Sequence, residues 1–332
     1  MGRPRLLIRA DAAPHIGIGH WMRCSALAEE WCRDGEAAWI SRHAAPALLD
    51  RVKAMGVVHH VIPETASLEQ ELSLVRRTAS GADWTVLDGY HFEAAYQIAV
   101  GAQRLLVVDD FANLPLYHAD VLLNQNLSAD TLSYRLASDS ATLLLGPRYA
   151  LLRPEFHGIE TRHVSAQATR VLATFGGSDP ADMTSRAVVA LAQLPSMTGR
   201  VVIGPANVNP RGKLPANVTA LHSPERMSEL MLWADIAVAA AGTVTLELCA
   251  TGLPMILIVA ADNQVALAAR LHDEGVALNL GGAESVTIER LREAIEGLSA
   301  DHARRERMSA AGRALVDGRG VERVVRTMRR LP

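Results

Sequence analysis

Residues 5 to 41, RLLIRADAAPHIGIGHWMRCSALAEEWCRDGEAAWIS, read as strand, glycine-bearing turn, helix and second strand. Arg5 to Ala10 carries a short apolar run of strand length, residues 20 to 33 follow with an amphipathic helical pattern, and Ala37 to Ser41 returns to strand character. Two such strands joined through a helix form a βαβ unit, the building block of a parallel sheet. The turn between them, Asp11 to His20, ends the first strand where open parallel sheets bind ligands. Gly17 and Gly19 let backbone approach a ligand, and His20 falls at the start of the helix.

The same alternation runs outward from this unit in two series. The first has strand-like runs at 57–62, 84–87, 104–108, 121–123 and 143–145, with helices predicted at 44–55, 67–80 and 92–101. The second has strands at 171–175, 200–203, 218–221, 236–239 and 255–259, helices at 182–193, 224–233, 243–251 and 263–274, and a helical tail from 287 onward. Pro154 to Gln167 is polar and has no clean period, so it is read as a linker between domains 1–153 and 168–332, with the ligand cleft across it. The expected fold class is α/β, two Rossmann-like parallel-sheet domains facing a central cleft.

Composition agrees with two domains: 332 residues, 49% hydrophobic, 21% charged. A net charge of -3 excludes the broad basic surface that nucleic acid or an anionic membrane demands, so an anionic ligand must be held locally. Cys24 and Cys32 lie roughly 12 Å apart along one helix, too far to bridge, and Cys249 falls in an apolar helix pattern. All three read as buried thiols in a reducing, cytoplasmic compartment. The apolar stretch 236–261 is broken by Glu247, Gly252 and Pro254, which rules it out as a membrane span.

Four strand-to-helix turns carry candidate chemistry. At the first, the His20 imidazole is of a side-chain type suited to act as a general base near neutral pH, the alternative being a helix cap or packing residue. A dinucleotide fingerprint would need glycine at position 22, where Met22 stands. At the second, Gly176, Gly177 and Ser178 present N–H groups and a hydroxyl to a diphosphate, or form a tight turn with Ser178 or Asp179 as cap. At the third, Gly242 and Thr243 open a helix whose dipole suits a phosphate, and Glu247 one turn on would accept hydrogen bonds from ribose hydroxyls, or from Arg or backbone donors. At the fourth, Asn263 and Gln264 stand where amides can bind a sugar or base, unless Asn263 is a cap. Asp11 opens the first of these turns, and Asp88-Gly89-Tyr90 and Asp109-Asp110 occupy corresponding strand ends; the aspartates of these last two read as turn or cap residues before metal ligands, since Asp109-Asp110 is not a DxD metal motif. His15, His59, His60 and His91 read as surface or loop residues. No metal site and no cofactor are expected.

These turns, in this order over two α/β domains, resemble nucleotide-sugar enzymes of the GT-B fold. More specifically, Arg9-Ala-Asp-Ala, Ile16-Gly-Ile-Gly-His-Trp-Met-Arg23, Leu122-Leu-Asn-Gln-Asn126 and Leu145-Gly-Pro-Arg-Tyr-Ala-Leu-Leu-Arg-Pro-Glu-Phe156 resemble the UDP-2,4-diacetamido-2,4,6-trideoxy-β-L-altropyranose hydrolase family of pseudaminic acid biosynthesis. The resemblance implies a water molecule activated by His20, attack at the anomeric carbon, and departure of UDP with inversion. UDP is already a good leaving group, so no second carboxylic acid is needed, unlike the paired carboxylates of glycosidases. It also implies uridine on the second domain, with Glu247 on the ribose and Asn263 near the diphosphate or sugar. The sugar side would lie on the first domain with Asp11, Gly17, Gly19 and Tyr90. The expected partner is a UDP-sugar bound by a monomer, without nucleic acid or stable membrane association. The alternatives are a glycosyltransferase similar in plan to the lipid-linked N-acetylglucosamine transferase of peptidoglycan synthesis, and a non-catalytic nucleotide-sugar sensor.

Overall fold

The computed structural model describes residues 2–13, 18–177, 179–204, 207 and 213–331. They form two compact units, one of Met1–Pro154 with Arg319–Pro332, the other of Glu155–Gly318.

In the first unit, strands β1 (Arg5–Ala10), β2 (Glu36–Ser41), β3 (Val58–Val61), β4 (Trp84–Asp88), β5 (Leu105–Val108), β6 (Val121–Asn124) and β7 (Thr142–Leu145) alternate at first with helices α1 (Gly19–Trp31), α2 (Pro46–Ala54), α3 (Leu68–Ala79) and α4 (Ala94–Ala99). Among the described residues they make a seven-stranded sheet in the order β3-β2-β1-β4-β5-β6-β7, every pair parallel. Both faces of β1 are covered, which explains its continuous apolar run: Leu6 to Ala10 are all buried. Trp21 and Trp31 of α1 supply one face, and Trp21 packs on Trp39 of β2 with ring centroids 4.3 Å apart. The chain runs from β1 to β2 on one side and places β4 on the other, so the topological switch lies between β1 and β4. Register sets Ala10 opposite Asp88 there, at the carboxyl ends of the two strands.

The second unit contains β8 (Arg170–Thr174), α5 (Met183–Ala192), β9 (Thr198–Ile203), β10 (Val218–His222), α6 (Met227–Trp233), β11 (Ile236–Ala240), α7 (Val244–Thr251), β12 (Met255–Val259), α8 (Val265–Asp273), β13 (Ala277–Gly282), α9 (Ile288–Ala300) and α10 (His302–Leu315). Its described sheet is parallel with the order β10-β9-β8-β11-β12-β13, and its switch point lies between β8 and β11. A helix α11 (Gly320–Arg330) follows.

Three elements differ from the sequence expectation. Strand β13 reads as irregular because Asn279, Gly281 and Gly282 are poor strand formers, and its pairing with β12 overrides that preference. The tail does not stay with the second domain: α11 buries Val321, Val324, Val325 and Met328 in the core of the first unit, and the Trp84 indole donates to the Met328 carbonyl at 3.0 Å. An amphipathic helix declares that it packs, not against which partner. Nor are residues 155–167 a free linker. Arg162 donates to the carbonyls of Thr251 (3.0 Å), Ala234 (2.6 Å) and Met231, tying the segment to the second unit. His59 and His60 lie half-buried on the edge strand β3, within the strand expected at 57–62, and the Ser41 hydroxyl meets His59 Nε2 at 2.9 Å.

Candidate functional site

The β1–β4 switch point assembles a buried hydrogen-bonded cluster around His20. Helix α1 starts at Gly19 and places His20 and Arg23 one turn apart, on the same face. Both are almost fully buried, and Asp88, at the end of β4, is wholly so. His20 Nδ1 lies 2.6 Å from Asp88 Oδ1. Arg23 grips Asp88 through Nε (2.7 Å to Oδ2) and Nη2 (2.6 Å to Oδ1), and grips Asp110, just past β5, through Nη1 (2.9 Å) and Nη2 (3.0 Å). Asn126 donates to Asp110 at 2.8 Å, the Tyr90 hydroxyl donates to it at 3.2 Å, and the Cys24 thiol donates to Asp88 at 3.3 Å.

This network assigns the histidine tautomer. Arg23 Nη2 has two hydrogens, directed to Asp88 Oδ1 and Asp110 Oδ2, so none remains for His20 Nδ1 at 3.0 Å. Nδ1 therefore carries the proton and donates to Asp88, which leaves Nε2 with a free lone pair. Burial alone would raise the Asp88 carboxyl, but the Arg23 guanidinium and His20 beside it hold it well below the usual carboxylate range. Burial likewise opposes ionisation of Asp110, and Arg23 again prevails. Two carboxylates against one guanidinium leave one surplus negative charge, which a proton arriving at Nε2 would balance. The arrangement, an imidazole held by a buried carboxylate, has the geometry that general-base chemistry needs. Tyr90 packs edge-on against His20 with centroids 4.7 Å apart, and burial together with Asp110 pushes its phenol up, so it stays a donor.

Beside this cluster a cavity of about 480 Å³ is lined by Arg9, Asp11, Arg42, Glu71, Asp88 and Tyr90, with His43, Gly89 and His91 completing its wall. Asp11 is buried and accepts hydrogen bonds from the backbone N–H of Arg42 (2.6 Å) and His43 (3.2 Å). Of the expected sugar-side residues, Asp11 and Tyr90 line this cavity, His20 packs against Tyr90, and Gly19 precedes His20 at the start of α1; Gly17 and His15 lie outside the described residues.

In the second unit the two glycine turns differ. Gly176 has φ +82°, a conformation that suits glycine, and the backbone at Gly204 approaches so closely that a Cβ there would stand 2.2 Å from the Gly176 carbonyl oxygen and 2.6 Å from Gly177 Cα. The N-terminus of α5 is already occupied: Asp179, at φ +42°, accepts from the N–H groups of Met183 (3.0 Å) and Thr184 (2.7 Å). The cap alternative holds for Asp179, so this helix end carries its own anion; Ser178 lies outside the described residues. Helix α7 is different. Thr243 is its exposed N-cap and makes no side-chain cap bond, Gly242 precedes it, and half-buried Glu247 is in its first turn. Gln264 is brought to the same turn, its Nε2 3.8 Å from where a Gly242 Cβ would stand, while its Oε1 accepts from Ala260 N at 2.9 Å; Asn263 beside it is exposed.

Sequence reasoning undervalued Asp88 and Asp110 as turn or cap residues, and did not single out Arg23, Asn126, Arg9, Arg42 or Glu71 for chemistry. The turn reading holds for Asp109, whose Oδ1 accepts from Phe111 N and Ala112 N. It fails for Asp88 and Asp110, whose partners come from α1 through strand register. The available signal was the i, i+3 spacing of His20 and Arg23. Among the described residues, no group of three His, Cys, Asp or Glu side chains could hold a metal ion, and no helix is long and apolar enough to cross a membrane.

Residues 171–319 match the model of the glycosyltransferase family 28 C-terminal domain. Over 330 residues the chain is 26% identical to the spore coat polysaccharide biosynthesis protein SpsG of Bacillus subtilis strain 168, covering 96% of this chain and 95% of that one. Among solved structures it is similar to MurG of Acinetobacter baumannii, with a TM-score of 0.68 and 16% identity over 99% of this chain and 100% of that one. Anabaena Alr3699/HepE in complex with UDP and glucose aligns with a TM-score of 0.64 and 14% identity over 99% and 100% of the two chains. With two Rossmann-like parallel-sheet units and these neighbours, the chain has the GT-B fold.

Proposed function

We propose that this chain is a nucleotide-sugar enzyme in which His20 Nε2 takes the proton of a hydroxyl group as that oxygen attacks the anomeric carbon of the sugar. The new C–O bond forms while the bond to the nucleoside diphosphate breaks, and its electron pair leaves with the diphosphate. The observation that carries this reading is the His20–Asp88–Arg23 network, which leaves one imidazole nitrogen bare and surrounds the ring with surplus negative charge. A base of this kind contributes about 10²–10⁴-fold to rate.

The nucleotide is assigned to the second unit, with the diphosphate at Gly242 and Thr243 before α7, where the helix dipole supplies about half a positive charge. The backbone of Gly176 and Gly177 adds donors, Glu247 takes the ribose hydroxyls, and Asn263 and Gln264 take the diphosphate or sugar. Similarity to the family 28 C-terminal domain and to a protein solved with UDP and glucose supports this choice. The same similarities favour a sugar or other acceptor hydroxyl as the nucleophile, hence glycosyl transfer. Hydrolysis of a UDP-linked diacetamido-trideoxy sugar is the second reading, supported by the motifs at 9–12, 16–23, 122–126 and 145–156.

Incubation with UDP-N-acetylglucosamine and UDP-glucose, alone and with a panel of hexose acceptors, separates them when UDP is followed by phosphorus NMR. UDP release that depends on an acceptor supports transfer, release in water alone supports hydrolysis, and binding without release contradicts both.

A further inference from the structure

The cavity beside the His20 cluster has an unusual wall. Arg9, only 1% exposed, lies between two carboxylates: Nη1 is 2.7 Å from Asp11 Oδ2, Nη2 is 2.9 Å from Glu71 Oε1, and Nε is 3.0 Å from the same oxygen. Arg42 Nη2 meets the other Glu71 oxygen at 2.8 Å, and its Nη1 donates to the carbonyls of Pro63 (2.9 Å) and Glu64 (3.0 Å). The Tyr96 hydroxyl donates to Glu71 at 2.9 Å. On this side of the cavity two guanidiniums face two carboxylates, so the wall is dense in donors and acceptors and their charges compensate, while Asp88 opposite belongs to the His20 cluster with its surplus negative charge. Burial and the neighbouring Arg9 hold the His91 imidazole below its ordinary value, so it adds no positive charge at neutral pH.

A charged group entering such a wall would lose its water without gaining a counterion, whereas a hydroxyl or amide exchanges water for equivalent partners. We propose that Glu71 is the specificity-determining residue of this cavity: by balancing, together with Asp11, the charges of Arg9 and Arg42 it admits an uncharged hydroxyl- and acetamido-bearing sugar ring and refuses one that carries a carboxylate. That the ring belongs to the enzyme's substrate rests on the nucleotide-sugar reading; the selectivity does not. Glu71→Gln keeps the side-chain shape and an acceptor for Tyr96 while removing the charge, which leaves one guanidinium uncompensated. It should convert the wall into an anion site.

The test is saturation-transfer NMR on the full chain, titrated with N-acetylglucosamine and with glucuronate. Wild type is expected to bind N-acetylglucosamine at least tenfold more tightly than glucuronate, and Glu71→Gln to bring glucuronate to parity or beyond. Asp11→Asn, which frees charge on Arg9, should move the ratio in the same direction and serves if Glu71→Gln does not fold. Equal binding of both sugars by wild type, binding of neither, or an unchanged ratio in a folded variant overturns the proposal. UDP binding, measured in parallel by calorimetry, reports on the nucleotide reading alone: its absence beside the expected sugar ratio sinks that reading and leaves the cavity assignment standing.

Discussion

Each residue of the His20 cluster has a chemical task that its neighbours define. Asp88 accepts from both Nδ1 of His20 and Nη2 of Arg23, which only an ionised carboxylate can do while also accepting Arg23 Nε on its other oxygen. In Asp88→Asn the new amide N–H competes for Nδ1, and the imidazole proton moves to Nε2. Turnover should fall by about 10²–10⁴-fold in a folded variant, and nitrogen-15 NMR of labelled histidine should find Nε2 protonated; a variant whose proton stays on Nδ1 contradicts the tautomer assignment. The same carboxylates set the acid limit of the fold. Burial opposes ionisation of Asp88, Asp110, Asp11 and Glu71, yet the guanidiniums beside them hold all four below the usual range. Their stabilisation is thus complete above the unfolded carboxylate value of about 4 and is lost as pH falls through the lower folded values. Melting temperature should be flat with respect to these groups above about pH 5 and drop below it; a rise on acidification would contradict the ion-pair assignment. At this scale the glycine turn before α1 drew attention to His20 in the sequence, although such turns also occur for purely structural reasons. Asp88 and Asp110 were not, since a local pattern makes any aspartate at a strand end a cap.

Elements place these residues through register and through the state of their termini. Pairing of β1 with β4 sets Ala10 against Asp88, and pairing of β4 with β5 carries Asp110 to the same end of the sheet. The strand-helix alternation that predicts a parallel sheet is written in hydrophobic periodicity, and it located most of the elements of both units. It could not find β13, whose Asn279 and glycines are tolerated only because β12 supplies the pairing. Nor does it distinguish a helix N-terminus that is already capped from one that is open. Asp179 closes α5, whereas Thr243 leaves the start of α7 without a side-chain cap, so the two glycine turns that look alike in sequence differ in their capacity for an anion. With the nucleotide assigned to α7, Glu247→Ala should weaken UDP binding about tenfold, as the loss of a hydrogen-bonded charged group of about 1.5–3 kcal/mol implies. Unchanged UDP affinity by calorimetry removes Glu247 from the ribose.

In the whole molecule the final helix is bound into the first unit, although all of the second lies between them in sequence. Val321, Val324 and Met328 of α11 are fully buried there, each stabilising by roughly 1.5–3 kcal/mol. Removal of residues 319–332 should destabilise the first unit by several kcal/mol while leaving the second nearly unaffected. Hydrogen exchange should accelerate in β1 and β4 and not in β8 and β11; uniform acceleration would contradict the division into units. This connection was illegible because an amphipathic stripe specifies burial without naming the surface that provides it. The proposed function has the chain convert a nucleotide sugar with His20 as its base. Its most direct measurement is turnover of a UDP-sugar by wild type and His20→Asn beside their UDP affinities: turnover should vanish with affinity kept within a few fold, and a variant that releases UDP at a near-normal rate would contradict the account.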